Sequence, residues 1–220
     1  EWHLKCFCKV NRMKRFIFSA LVLCGLCMAA AAQGTSVLEQ LCAKLTGSAA
    51  VMDYSYSLTM SGVKSVGEGV LTVQDKSYVM QGNGIKIYCS ASTLWIVDAS
   101  AKEILIDDVA QGEDAYLANP ALLFTDLNAM FSVGAPVRQG SLITYSLVPK
   151  VKCGVSSGTI ILDSSGTVPV FQSGTFVTDD GSKISIKIKS MTFVEKKPLT
   201  FYVLDLSVFD SSWMITDLRQ

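Results

Sequence analysis

Met52-Asp53-Tyr54-Ser55-Tyr56-Ser57-Leu58-Thr59-Met60 alternates large apolar or aromatic residues with acidic or hydroxyl ones at every position. Successive side chains of a strand point to opposite faces, so Met52, Tyr54, Tyr56, Leu58 and Met60 share one face of a sheet. Asp53 and the intervening hydroxyl residues take the other face, towards water. Ser61-Gly62 turns this strand, and Gly67 to Val73 returns from it. Further strands are predicted at Ser77–Met80, Ile85–Cys89, Leu94–Asp98, Glu103–Asp107, Leu142–Val148, Gly158–Leu162, Val168–Val177, Lys183–Lys189 and Leu199–Leu204. Short strands at this spacing, separated by Gly, Asp and Ser turns, indicate a mainly β domain. Its sheet is antiparallel and strongly curved or closed. In Lys183 to Lys189 the isoleucines occupy one face and Lys or Ser the other, again a sheet with a wet outside.

Two segments break the period of two. Ser36-Val37-Leu38-Glu39 has the form of a capping box, and Val37, Leu38, Leu41 and Leu45 then recur on one helical face as far as Gly47. Between the strand blocks, Asn119-Pro120 starts a second predicted helix, and Gly134 and Pro136 close the segment. Leu123, Phe124, Leu127, Met130 and Phe131 form its apolar stripe, with Leu122 beside it. One amphipathic helix amid sheet covers something apolar, either as a plug on an ordinary core or as a lid.

Residues 1–32 read as an N-terminal extension plus a secretory signal. Met13-Lys14-Arg15 supplies the basic start, Phe16 to Met28 the apolar run, and Ala29 to Ala32 the small residues before cleavage, expected after Ala32. Residues 33–220 are then the working domain, without an internal linker or repeat. Leu23 and Leu26 occupy positions where a lipoprotein signal needs a small residue, so no lipid anchor is expected. Of the seven cysteines, Cys42, Cys89 and Cys153 fall in the working domain. An oxidising compartment permits one disulfide among them, and three buried thiols fit equally well. Removing residues 1–32 turns the balanced charge of the whole chain into 14 basic against 18 acidic residues. A mildly acidic surface without a basic stripe argues against nucleic acid as a partner.

Catalytic signals are weak. Gly154-Val155-Ser156-Ser157-Gly158 matches the G-x-S-x-G pattern of serine hydrolases, but a nucleophile elbow needs a strand before it, a helix after it and a histidine base. Here the motif sits in a predicted hairpin turn, and the only histidine, His3, precedes the signal. Asp107-Asp108 and Asp179-Asp180 are adjacent acids that point in different directions, not dyads. The expectation is a binding protein without metal, cofactor or catalytic residues.

Several segments, in order, resemble the LolA-like carriers of outer-membrane lipoproteins. The likeness runs through the opening helix, Gly69 to Val73, Thr93-Leu94-Trp95-Ile96-Val97-Asp98 and Glu103 to Ile106. It continues in Asn119-Pro120-Ala121-Leu122-Leu123, Tyr145-Ser146-Leu147-Val148-Pro149-Lys150 and Asp180 to Ile184. Ile215-Thr216-Asp217-Leu218-Arg219 is similar to the tail of Bacteroides-type members.

The resemblance implies a single-domain, incomplete antiparallel β-barrel covered by a helical lid. It further implies a monomeric periplasmic chaperone that takes the acyl chains of lipoproteins from an inner-membrane lipoprotein-releasing transporter towards the outer membrane. On that basis Tyr54, Tyr56, Leu58, Met60, Trp95 and Val97 are the expected acyl groove. Leu122, Leu123, Phe124, Leu127, Met130 and Phe131 are the expected lid. The family's lid-latching Arg has no counterpart in Asp75-Lys76-Ser77-Tyr78-Val79-Met80, so closure rests on apolar contacts or other polar groups. The competing reading is a secreted β-rich interaction or structural module with a filled core, and a hydrolase built on Ser156 stands behind both.

Overall fold

A computed structural model describes residues 37–109 and 125–219. These residues form one sheet of 13 strands, preceded by helix α1 at residues 37–47. The strands are β1 (Ala49–Met60), β2 (Val63–Gln74), β3 (Ser77–Gly82), β4 (Ile85–Cys89), β5 (Thr93–Asp98) and β6 (Glu103–Asp108). A short helix, α2 (Leu127–Met130), leads into β7 (Phe131–Val133), β8 (Val137–Gln139), β9 (Leu142–Pro149), β10 (Val155–Asp163), β11 (Val170–Thr178) and β12 (Lys183–Val194). β13 (Met214–Asp217) ends the sheet.

The spatial order is β13-β6-β5-β4-β3-β2-β1-β12-β11-β10-β9-β7, with β8 also on β9, so the sheet has two ends and does not close. Its long central strands β1 and β12 pair in register until a bulge: Asp53 faces Ser190, Tyr54 faces Ile188, and Lys189 is the extra residue. A bulge adds local twist and bends the strand, which is how a flat ladder becomes a half-barrel.

Apolar residues on the concave face join α1 and α2 in the main core. Leu38, Leu41 and Leu45 of α1 share this cluster with Met52, Leu71, Tyr145, Ile160 and Phe171. The void left between α1, Leu127 and strands β10 and β11 is about 10 Å³, so this end of the barrel is packed solid. On the opposite face, Trp95, Val97, Ile104 and Ile106 form a second cluster, covered by Leu204, Leu206, Phe209 and Trp213 of the C-terminal segment.

Three expectations need correction. Leu199–Leu204 is not a strand: a 3-10 turn spans Leu199–Tyr202, with Phe201 N–H donating to Pro198 C=O at 2.9 Å. The chain here leaves the sheet to reach its outer face, so the backbone finds partners within its own turn. Gln74 holds this departure by accepting from Lys197 N–H at 2.7 Å and donating to Lys197 C=O at 3.1 Å. The second correction is at Phe131, which is extended (φ −121°, ψ 141°) and begins β7 where it pairs with Pro149. The ladder on β9 takes this aromatic residue out of the predicted helix. Third, Ser156 lies at a bulge in strand β10, not in a hairpin turn, and its hydroxyl donates to Val177 C=O at 3.1 Å. The last strand is a further finding, since β13 runs parallel to β6 in an otherwise antiparallel sheet.

Candidate functional site

Beyond the part of the concave face that α1 covers, the same strands continue as an open trough of about 430 Å³. Tyr54 and Tyr56 of β1, Met80 of β3, Ile85 and Ile87 of β4, and Ile184 and Ile186 of β12 are its apolar walls. Each lies at every second position of its strand, so one face of four strands converges on one space.

The trough exists because β2 withholds side chains there. Tyr54 faces Gly69 and Tyr56 faces Gly67 across the β1–β2 ladder. A Cβ on Gly67 would sit 2.5 Å from the Tyr56 ring, and one on Gly69 only 2.3 Å from the Gln81 carbonyl oxygen. Glycine thus lets both rings lie over β2. Tyr56 is held at its hydroxyl by Asn83, whose amide donates to it at 3.2 Å. Burial, and then the neighbouring Tyr56, push the Tyr54 phenol pKa up from its ordinary value, so the Tyr54 ring is neutral near pH 7. Glu68 alternates with the two glycines, and its side chain pairs with Lys189. The side chains lining the trough otherwise carry no ionised group.

Of the six expected groove residues, Tyr54 and Tyr56 are in the trough. Leu58 and Met60 continue the same face towards the β1–β2 hairpin, where Met60 is 52% exposed beside the exposed Val63 and Val66. Trp95 and Val97 are not on this wall. Trp95 pairs with Tyr88 and Ile106, and Val97 with Lys86 and Ile104, which places them on the opposite face from Ile87. Their places in the trough are taken by Met80, Ile85, Ile87, Ile184 and Ile186. The signal for these was present in the alternation of β4 and β12, and Gly67-x-Gly69 opposite two tyrosines marked where the space would open.

Leu122, Leu123 and Phe124 of the expected lid, with Asn119 and Pro120, lie outside the described residues. Leu127, Met130 and Phe131 are buried in the main core, so in the structure they plug the covered end. Two polar contacts fix this short helix. Lys76, from the β2–β3 turn, pairs with Asp126 at 3.4 Å, and Lys150 Nζ donates to Asn128 C=O at 2.8 Å. Among the described residues Cys42, Cys89 and Cys153 are free thiols. Burial pushes the Cys89 thiol up to about 12, so it is an inert core group.

The described residues form a mainly antiparallel, unclosed sheet, the incomplete barrel that the sequence resemblance implied. No protein-family model and no curated protein matches the chain. Among solved structures, an uncharacterized conserved protein from Thermus thermophilus superposes with a TM-score of 0.51 at 6% identity, over 84% of this chain and 99% of that one. A LolA superfamily protein from Nitrosomonas europaea gives 0.43 at 8% identity, over 78% and 97% of the two chains. A DUF1329 family protein from Desulfovibrio piger gives 0.46 at 8% identity, over 82% and 99%. Identities of this order speak to fold alone. No described helix is long and apolar enough to cross a membrane.

Proposed function

We propose that this protein is a periplasmic chaperone that binds the acyl chains of lipoproteins in the trough and carries them from the inner to the outer membrane. The observation that carries the reading is an apolar space left open at one end of a half-barrel whose other end is filled. A protein with only a structural role gains nothing from leaving Ile184, Ile186, Ile85 and Ile87 part-exposed around a hollow. Each methylene removed from water into such a space is worth about 0.8 kcal/mol, so an acyl chain has a strong reason to enter. The secretory signal read from the sequence supports export, and an inner-membrane lipoprotein-releasing transporter is the partner that would load the trough. Binding and release of this kind use no bond-making residue, metal or cofactor, and the chaperone works as a monomer.

Native mass spectrometry of the exported protein tests this directly. Co-purified lipid or lipoprotein, and extraction of lipoproteins from an inner-membrane preparation, are the expected results. An empty protein that extracts nothing would overturn the proposal.

A further inference from the structure

We infer that the free edge of β2, Val63–Glu68, takes the polypeptide of the cargo as an added strand, formed by the extended residues that follow the acylated one. This rests on the carrier reading and deepens it by naming a second part of the cargo that the site holds.

β2 is an interior strand of the sheet, but only half of it has two neighbours. It pairs with β1 from Val63 to Val73, and with β3 only from Gly69 to Gln74. β3 stops there because Asn83 and Gly84 both have positive φ, 51° and 80°, the two-residue turn that reverses the chain straight into β4. Among the described residues, Val63–Glu68 therefore presents alternate N–H and C=O groups with no strand beside them. This stretch is about 20 Å long at 3.3 Å per residue.

Proteins blunt such edges by keeping them short or by placing charge or proline on them. The two ends of the described sheet follow that rule, since β7 has three residues and β13 four. The β2 edge is longer, has no proline, and carries two exposed valines, Val63 at 72% and Val66 at 66%. Of its two charges, Glu68 is tied to Lys189 and Lys64 is exposed.

Both faces of a strand added here have room for its side chains. On the concave face the edge borders the trough at Gly82 and Asn83. On the convex face it borders a hollow of about 760 Å³ lined by Ser55, Ser57, Val66, Glu68, Thr175 and Ser185. Lys64, opposite Thr59, and Lys187, opposite Ser55, carry positive charge on that convex face. A strand with apolar residues inward and acidic residues outward matches both sides. Asn83 holds the Tyr56 hydroxyl where the trough meets this edge, so the peptide attached to an acyl chain in the trough starts within reach of β2. Main-chain pairing accepts any cargo sequence that can extend, with side-chain preferences added by the two faces.

The test uses the full chain and two probes below micelle concentration: palmitoyl-glycine amide, and a palmitoyl hexapeptide amide of alternating valine and aspartate. The hexapeptide should bind at least about fivefold tighter, because several hydrogen bonds are added. N-methylation of every second residue should abolish that gain in one phase and leave it in the other, since only alternate N–H groups face β2. Amide exchange at alternate residues of Val63–Glu68 should be fast in the free chain and with palmitoyl-glycine amide, and slowed at least about tenfold by the hexapeptide. Lys64→Glu should weaken the hexapeptide about threefold and leave palmitoyl-glycine amide unchanged.

Edge amides already protected in the free chain, equal losses from the two methylation phases, or no gain over palmitoyl-glycine amide would each overturn the added strand. Binding of palmitoyl-glycine amide would in those cases leave the carrier reading standing. Binding of neither probe would overturn both.

Discussion

The two ends of the concave face are written in the same strands and differ in what lies over them. At the covered end, Ala50 and Met52 of β1 are buried in the core with α1, while Tyr56, four residues beyond Met52, is only half-buried. The covered end is continuously apolar at Ala49-Ala50-Val51-Met52, and from Met52 the alternation runs on unbroken to Met60. The difference is reach: α1, residues 37–47, is roughly 16 Å long at 1.5 Å per residue. β1 has 12 residues and spans about 40 Å at 3.3 Å per residue. A helix of that length is less than half as long as the strand, and the Lys189 bulge falls just beyond Met52, the last β1 residue fully buried with α1. Alternation therefore specifies a face, and helix length decides how much of that face is core and how much is site.

The contrast breaks most visibly if a covered-end residue is truncated. Leu41 is 1% exposed in α1, and Leu41→Ala is expected to cost about 2–5 kcal/mol of stability in urea unfolding. Acyl-peptide affinity per folded molecule should stay unchanged. At the open end the pattern reverses: Ile186→Asp should weaken acyl binding at least tenfold while moving stability by no more than about 1 kcal/mol, because the side chain is already part-exposed.

Alkaline pH sharpens the comparison further, since the covered end buries Cys89 and Tyr78 and burial raises both pKa values. The unfolded chain releases the Cys89 proton near pH 9 and the folded chain only near 12, so stability is intact below about 9 and falls as pH rises through that window. Cys89→Ala should flatten the fall, as read by thermal melts from pH 8 to 11. The smallest effect belongs to Ser156→Ala. Its exposed hydroxyl caps a bulge carbonyl, so stability should move by less than about 0.5 kcal/mol and acyl binding should not move.

Much of this architecture was legible before the structure. Strands β1, β4, β5, β6 and β9 followed directly from period-two alternation and turn residues, and α1 from its cap and leucine spacing. Leu199–Leu204 misled because its in-out pattern is real. Tyr202 and Leu204 are buried while Phe201 and Val203 are exposed, but no described strand pairs with it. Periodicity reports faces, not ladders. The same limit explains Trp95 and Val97. They alternate as cleanly as the β1 residues, but which face of β5 is concave depends on register with β4, and it is Ile87 that shares the side of Tyr54 and Tyr56. The role of the glycines in β2 was hidden for a related reason, since a missing side chain matters only once its cross-strand partner is known.

The most direct test of the central claim, that the open end and not the covered end takes the acyl chain, is paramagnetic broadening of methyl signals by an acyl peptide spin-labelled at the chain end. The account predicts that Ile85, Ile184 and Ile186 lose intensity while Leu41 and Ile160 keep theirs. Broadening of Leu41 and Ile160 with Ile184 and Ile186 untouched would contradict it.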